Sequence, residues 1–240
     1  SYVNLNGRWD YAITASDAEP GHWDGEILVP FSPESPLSGV NRTLLPGQTL
    51  WYRREIQETR REGQRLLLHF GAVDYSCECI VNGYPVGSHQ GGYTPFTFDI
   101  TDALLVLGDT ESVATIDVAV RDPSETGGQP RGKQRLDRGS IWYTAQSGIW
   151  QTVWMEEVSD SHIEKLDLRC DDDTLHARVH VAGSIGDAER ALSVDIVDEG
   201  ELIASASADV RGPGPHDIEV TVDEPHLWSP DDPHLYDLGI

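Results

Sequence analysis

The chain has 240 residues, 38% of them hydrophobic, which suits one large or two smaller packed domains and excludes a disordered chain. Its 41 acids against 17 bases leave a formal charge of −24, a surface that repels phosphate backbones and so excludes nucleic acid and anionic membrane as partners. No stretch approaches the ~20 apolar residues that span a bilayer.

In chain order, the first apolar run is Ile27-Leu28-Val29-Pro30-Phe31, too short for a signal peptide. Asn41-Arg42 then leads through the Pro46-Gly47 turn signal to Trp51-Tyr52-Arg53-Arg54. Arg65 to Phe70 and Cys77 to Val81 read as short strands. Asn82-Gly83, between Ile80-Val81 and Tyr84-Pro85-Val86, is the strongest hairpin signal in the chain. Gly91-Gly92-Tyr93 and Thr94-Pro95-Phe96 follow, where glycine permits tight turns and Pro95 fixes the approach to a strand at Phe98-Asp99-Ile100-Thr101. Val113 to Val120 is another strand. A long loop runs from Asp122 to Ile141 and carries Arg131-Gly132-Lys133-Gln134. A tryptophan-rich stretch with Trp142, Trp150 and Trp154 comes next.

A boundary is expected near Val158 to His162, where the sequence turns plainer and more acidic. Residues 163–222 hold strand-like runs such as Leu175 to Val181, Leu192 to Val197 and Ile218 to Val222, parted by turns rich in Gly, Asp and Pro. Helical periodicity is scarce throughout. The fold class is therefore all-β, built of sandwiches or a jelly roll. The last stretch falls short of the ~7 strands of a complete immunoglobulin-like sandwich. It breaks off in the strand-like Tyr236-Asp237-Leu238-Gly239-Ile240, so its second sandwich is expected to be cut short.

Cysteine chemistry offers little. Cys77 and Cys79 are two apart, facing one side of a strand, and read as small core residues. With Cys170 they make an odd, low count that argues against a disulfide framework and for a reducing, cytoplasmic compartment. No cofactor is expected, and no metal: Asp171-Asp172-Asp173 lacks the alternation of a calcium loop.

Four segments, in order, resemble glycoside hydrolase family 2, the group of β-galactosidases, β-glucuronidases and β-mannosidases. Leu5-Asn6-Gly7-Arg8-Trp9 is similar to the family's first strand. Val81, Gly83, Val86-Gly87, His89, Gly91-Gly92-Tyr93, Phe96 and Asp99 resemble its jelly-roll core. Ser147-Gly148-Ile149-Trp150 with Val153 resembles the strand that closes that domain. Leu227-Trp228-Ser229-Pro230 with Pro233 and Leu235-Tyr236 resembles the late strands of its immunoglobulin-like second domain, where Trp228 and Tyr236 are expected to pack. The resemblance implies a jelly-roll β-sandwich over residues 1–160 and an incomplete immunoglobulin-like sandwich over 161–240.

The family's catalytic centre lies in a (β/α)₈ barrel of ~250 residues, for which this chain has no room. The family's acid/base glutamate follows an asparagine, and the sequence holds no Asn-Glu pair. No catalytic residue is assigned. The expected role is the non-catalytic front end of a retaining β-glycosidase, bracing the barrel and lending loops to its sugar pocket. The partner would be a β-linked carbohydrate engaged through that barrel. A free-standing carbohydrate-binding module is the alternative. The truncated chain is also expected to self-associate through an open sheet edge.

Five residues are candidates for sugar contact. Asp122 looks like the position where some galactosidases of the family place a sugar-contacting aspartate, against the plainer reading of a turn acid before Pro123. Trp142 and Tyr143 have the amphipathic rings that stack on a pyranose, or that pack in a core or domain interface. Arg131 and Lys133 have donors for hydroxyls or a uronic acid carboxylate, or belong to a solvated loop.

Overall fold

A computed structural model describes residues 2–57, 63–105, 113–185 and 190–240. The chain is all-β. Among the described residues the only α-helix is one short turn, α1 (Thr101–Leu105). The chain divides into two compact units, the first ending at Val158 and the second beginning at Ser159.

The first unit holds β1 (Tyr2–Asn4), β2 (Gly7–Thr14), β3 (Gly25–Val29), β4 (Thr49–Gln57), β5 (Gln64–Phe70), β6 (Val73–Asp74) and β7 (Ser76–Val81). It continues with β8 (Tyr84–Gln90), β9 (Phe96–Asp99), β10 (Val113–Arg121), β11 (Gln134–Arg135), β12 (Tyr143–Thr144), β13 (Gly148–Ile149) and β14 (Val153–Ser159). A six-stranded sheet, in the order β3-β2-β4-β10-β7-β8, and a four-stranded sheet, β1-β14-β5-β9, form its sandwich.

Period-two alternation sets which side chains meet between the sheets. Leu50, Tyr52 and Ile56 of β4, Ile116, Val118 and Val120 of β10, and Cys77, Cys79 and Val81 of β7 enter the core from one side. Leu66, Leu68 and Phe70 of β5 and Val153 and Met155 of β14 belong to the same buried cluster. Each such large apolar side chain contributes about 1.5–3 kcal/mol on full burial. Cys77 and Cys79 face this core as expected, and burial pushes the Cys77 thiol up to about 12.

The Asn82-Gly83 turn joins β7 to β8 in two residues, with Val81 opposite Tyr84. Both turn residues have positive φ, +51° and +81°, the conformation of a type I′ hairpin. Asn82 is also held in place, its Oδ1 accepting from the Thr115 amide at 2.9 Å.

Two expected strands are differently built. The segment Leu5 to Trp9 is broken rather than continuous, because the chain changes sheets there: β1 joins the four-stranded sheet and β2 the six-stranded one. Asn6 bridges the break, its Oδ1 accepting from Val153 N at 3.0 Å, and Trp9 Nε1 donates back to Leu5 O at 2.9 Å. At the other end, Gly148–Ile149 pairs, among the described residues, with β6 alone, and the closing strand is β14.

The second unit pairs two three-stranded sheets. One contains β15 (His162–Asp171), β16 (Thr174–Ala182) and β19 (Gly214–Thr221), in that order. The other has the order β18-β17-β20, with β17 (Arg190–Asp198), β18 (Glu201–Val210) and β20 (Asp237–Gly239). Leu175, Val179, Val194, Ile196, Ile218 and Val220 are buried among its core residues. Leu166 and Leu168 of β15 lie opposite the buried Val179 and Ala177, yet remain 42% and 47% exposed. They stay open because β15 is the edge strand of its sheet. Tyr236 packs on the core as expected. Trp228 does not: it is 57% exposed, carried on a tight turn in which the Ser229 and Asp232 backbones bond each other, and it lines an apolar groove with Leu168 and Leu235.

Candidate functional site

One end of the first unit gathers buried carboxylates. Its base is Glu34, 7% exposed. Glu34 Oε1 accepts from Leu44 N at 3.0 Å and Ser147 Oγ at 2.7 Å, and Oε2 accepts from Ser147 N at 3.1 Å. Next along, Ile149 N donates to Tyr52 Oη at 3.1 Å. Gly148 between them has φ +81°, and a Cβ there would stand 2.2 Å from Tyr52 Oη. The Ser147-Gly148-Ile149 run is thus a hook that only glycine fits at its centre.

Above this base lie Asp74 at the end of β6 and Asp122 just past β10. Tyr75 N donates to Arg121 O at 3.4 Å, so the two strand ends run side by side. Asp122 is 5% exposed, and its Oδ1 accepts from Ser124 N at 2.7 Å. Asp74 is 6% exposed, and its carboxylate has no hydrogen-bond donor among the described residues. Burial, then the neighbouring charges of Asp122 and Glu34, raise Asp74 to about 7. Burial also raises Asp122 and Glu34 above the usual carboxylate range.

The Gly91-Gly92-Tyr93 loop closes over Asp74. Trp150 Nε1 donates to Gly92 O at 2.8 Å, and the Trp150 ring meets Tyr93 edge-on, with centroids 6.0 Å apart. Tyr93 is 53% exposed. Its hydroxyl reaches the backbone at Gly132, where a Cβ would stand 3.5 Å away. The Arg131-Gly132-Lys133 segment therefore passes the same end of the sandwich.

The five expected sugar contacts divide. Asp122 belongs to the cluster, as a neighbour of Asp74. Arg131 is half-buried and spends Nη1 on Gly127 O at 3.2 Å. Lys133 is exposed, and its ammonium makes no hydrogen bond or ion pair among the described residues. Trp142 is half-buried beneath the Arg135 guanidinium, 4.2 Å from the ring centroid. Tyr143 is 70% exposed and is held by its backbone, which pairs β12 in parallel with β11. Asp74, Glu34, Tyr93 and Trp150 were missed as site residues. For Asp74 a signal existed in the sequence: a lone acid after the apolar Ala72-Val73 has no reason to be buried unless something there needs it.

A carboxyl group titrating near neutrality both donates and accepts hydrogen bonds, as a polyhydroxylated ligand requires. Tyr93 and Trp150 add aromatic edges. Among the described residues no three His, Cys, Asp or Glu side chains converge in metal-ligand geometry. No helix among them is long and apolar enough to cross a membrane.

Comparison with known proteins shows what the chain is similar to. The model of glycosyl hydrolases family 2 matches residues 155–240. A β-galactosidase of Thermoanaerobacter pseudethanolicus is 29% identical over 79% of the chain and 25% of its own length. The β-galactosidase BoGH2A of Bacteroides ovatus is 27% identical over 99% of the chain and 29% of its own length. The chain thus spans about a quarter of these curated relatives. Among solved structures, a Bifidobacterium dentium β-glucuronidase complexed with coumarin-3-O-glucuronide superposes with a TM-score of 0.73 at 20% identity, covering 99% of this chain and 44% of that one. A Faecalibacterium prausnitzii β-glucuronidase gives 0.68 at 22% identity, covering 99% and 43%. At those identities the likeness is one of fold.

Proposed function

Because this chain belongs to glycosyl hydrolases family 2, we propose that it is the non-catalytic N-terminal region of a retaining β-glycosidase. Residues 1–160 would be its jelly-roll domain and residues 161–240 part of its immunoglobulin-like domain. Chemistry would fall to two carboxyl groups ~5–5.5 Å apart in a barrel supplied by another part of the polypeptide. The observation that carries this reading is coverage: an all-β chain aligns along 99% of its length with 29% of a β-galactosidase.

In this proposal the carboxylate end of the first unit turns toward the barrel. Asp122 lends its buried charge to a sugar hydroxyl. Arg131 and Lys133 supply donors from the loop, and Trp142 and Tyr143 offer ring faces. The rest of the chain braces the barrel, and the partner is a β-linked carbohydrate. The free thiols of Cys77, Cys79 and Cys170 fit a reducing compartment, so a cytoplasmic location belongs to the same proposal. So does self-association of the chain through the open face of β15.

The test is substitution in the longer polypeptide that the proposal requires. Asp122→Asn and Lys133→Ala are expected to lower kcat/KM on β-galactosides or β-glucuronides about tenfold or more, at unchanged melting temperature, as loss of a charge-assisted hydrogen bond does. Unchanged kinetics in both variants would remove the loop from the sugar pocket.

A further inference from the structure

The six-stranded sheet has a second face, turned away from the core. Trp51 and Arg53 of β4, Thr115 and Asp117 of β10 and Ile80 of β7 stand together on it, because Trp51 is paired with Ala119 and Arg53 with Asp117, and Asp117 in turn with Ile80. With Glu19 they line a depression of about 340 Å³. This lies within the range of small-ligand sites, ~300–1,000 Å³.

The Trp51 ring is only 4% exposed, set between Ala12 and Ala119 with Trp23 and Ile80 packed against it. Its Nε1–H is buried and has no acceptor among the described residues. Trp9 and Trp150 differ, since each donates its indole N–H to a backbone carbonyl. A buried donor left unpaired costs ~1–3 kcal/mol, so such an atom marks a place where something else supplies the acceptor.

Beside it the polar groups are fixed. Arg53 Nε donates to Asp117 Oδ1 at 2.6 Å and Nη2 to Asp117 Oδ2 at 2.8 Å, a two-pronged pair whose aspartate side chain is only 9% exposed. Nη2 also donates to Glu19 Oε1 at 2.9 Å, and the guanidinium lies 4.8 Å from the Trp23 ring centroid. The depression is therefore lined by the Trp51 indole, a rigid donor fork and two carboxylates, with the unpaired Nε1–H buried in its wall.

Charge narrows the ligand. Glu19 and Asp117 outnumber Arg53 on a chain of formal charge −24, which repels anions. Arg53 at the centre repels cations. A neutral ring with hydroxyls that donate to the carboxylates and accept from Arg53 and Trp51, and with an apolar face for Trp51 and Ile80, fits both constraints.

We propose that this outward face of the sheet is a carbohydrate site for a neutral pyranose, built on Trp51 Nε1 and the Arg53–Asp117 pair. It is separate from the Asp74–Asp122 end of the unit and needs no other part of a polypeptide. Proton–nitrogen correlation spectra of the full chain, titrated with methyl β-D-galactopyranoside and with methyl β-D-glucopyranoside, test it. The Trp51 indole resonance, assigned by its loss in Trp51→Phe, is expected to shift saturably with at least one of them. Trp51→Phe is expected to weaken that binding about tenfold, the value of one hydrogen bond. Thr115→Val, which leaves the ion pair intact, is expected to weaken it several-fold. Trp142→Phe is expected to leave it unchanged. A Trp51 resonance that stays put with both glycosides, or that moves equally with glycerol, overturns the proposal. So does a titration that moves only Trp142 and Trp150, which places sugar at the carboxylate end instead.

Discussion

Gly92 lies so close over Asp74 that a Cβ at position 92 would stand 2.5 Å from Asp74 Oδ1. The second glycine of the Gly91-Gly92-Tyr93 run is therefore there for space. Its φ lies outside the left-handed region, so backbone freedom is not the reason. Replacement by alanine forces either the loop or the buried carboxylate to move. Gly92→Ala is expected to cost about 1–3 kcal/mol in urea unfolding, the usual result of overpacking a closed site.

The titration of Asp74 makes a second prediction, with a definite sign. Its pKa rises from 3.8 in the unfolded chain to about 7 in the fold, chiefly through burial. Below pH 4 the group is neutral in both states and carries no penalty. Between about 4 and 7 the folded state binds the proton more tightly, so this group's contribution to stability falls as pH rises. Asp74→Asn removes that dependence. The variant should gain on the native chain from pH 4 to pH 8, by at most about 4 kcal/mol, since each pH unit between the two pKa values is worth ~1.36 kcal/mol. Urea midpoints of both proteins across that range check it, and parallel curves would contradict the assignment.

Tyr52 gives a third. Its hydroxyl accepts from the amide of Ile149, a residue with no exposed surface. Tyr52→Phe keeps the ring and strands that N–H. A loss of ~1–3 kcal/mol is expected, with Gly148 and Ile149 amides exchanging faster with solvent. An unchanged melting curve would mean that the hook is held by Glu34 alone.

A fourth concerns the second unit. Leu166 and Leu168 present apolar side chains from an edge strand, and Leu227, Trp228 and Leu235 add to the exposed surface. Open strand edges with apolar faces invite pairing between chains. Light scattering is expected to show mass rising with concentration. The double variant Leu166→Lys, Leu168→Lys should return it to the monomer value. A concentration-independent monomer in the native chain would remove this prediction.

The sequence was most legible where local chemistry dictates geometry. Asn82-Gly83 announces a two-residue hairpin because both residues tolerate positive φ, and the hairpin is there. Cys77 and Cys79 announce one buried face because strand side chains alternate. The break at Asn6 was not legible, since it depends on a partner at Val153, far along the chain. Trp228 was misjudged because a large apolar residue was expected inside, whereas the turn at Ser229 to Asp232 carries it onto the surface. Asp122 was singled out, but its companions Asp74 and Glu34 were not. They come from distant segments and meet only through the pairing of β6 with β13 and the Glu34–Ser147 bonds. A carboxylate cluster assembled by tertiary structure has no local spacing to read.

The central proposal is that this chain is the non-catalytic part of a longer glycosidase. The direct measurement is hydrolysis of chromogenic β-galactoside, β-glucuronide and β-mannoside by the purified 240-residue chain. No release above the buffer rate is predicted with any of the three. Turnover that follows the chain through purification and falls away with Asp74→Asn or Asp122→Asn would contradict the claim and make the buried carboxylates a catalytic centre.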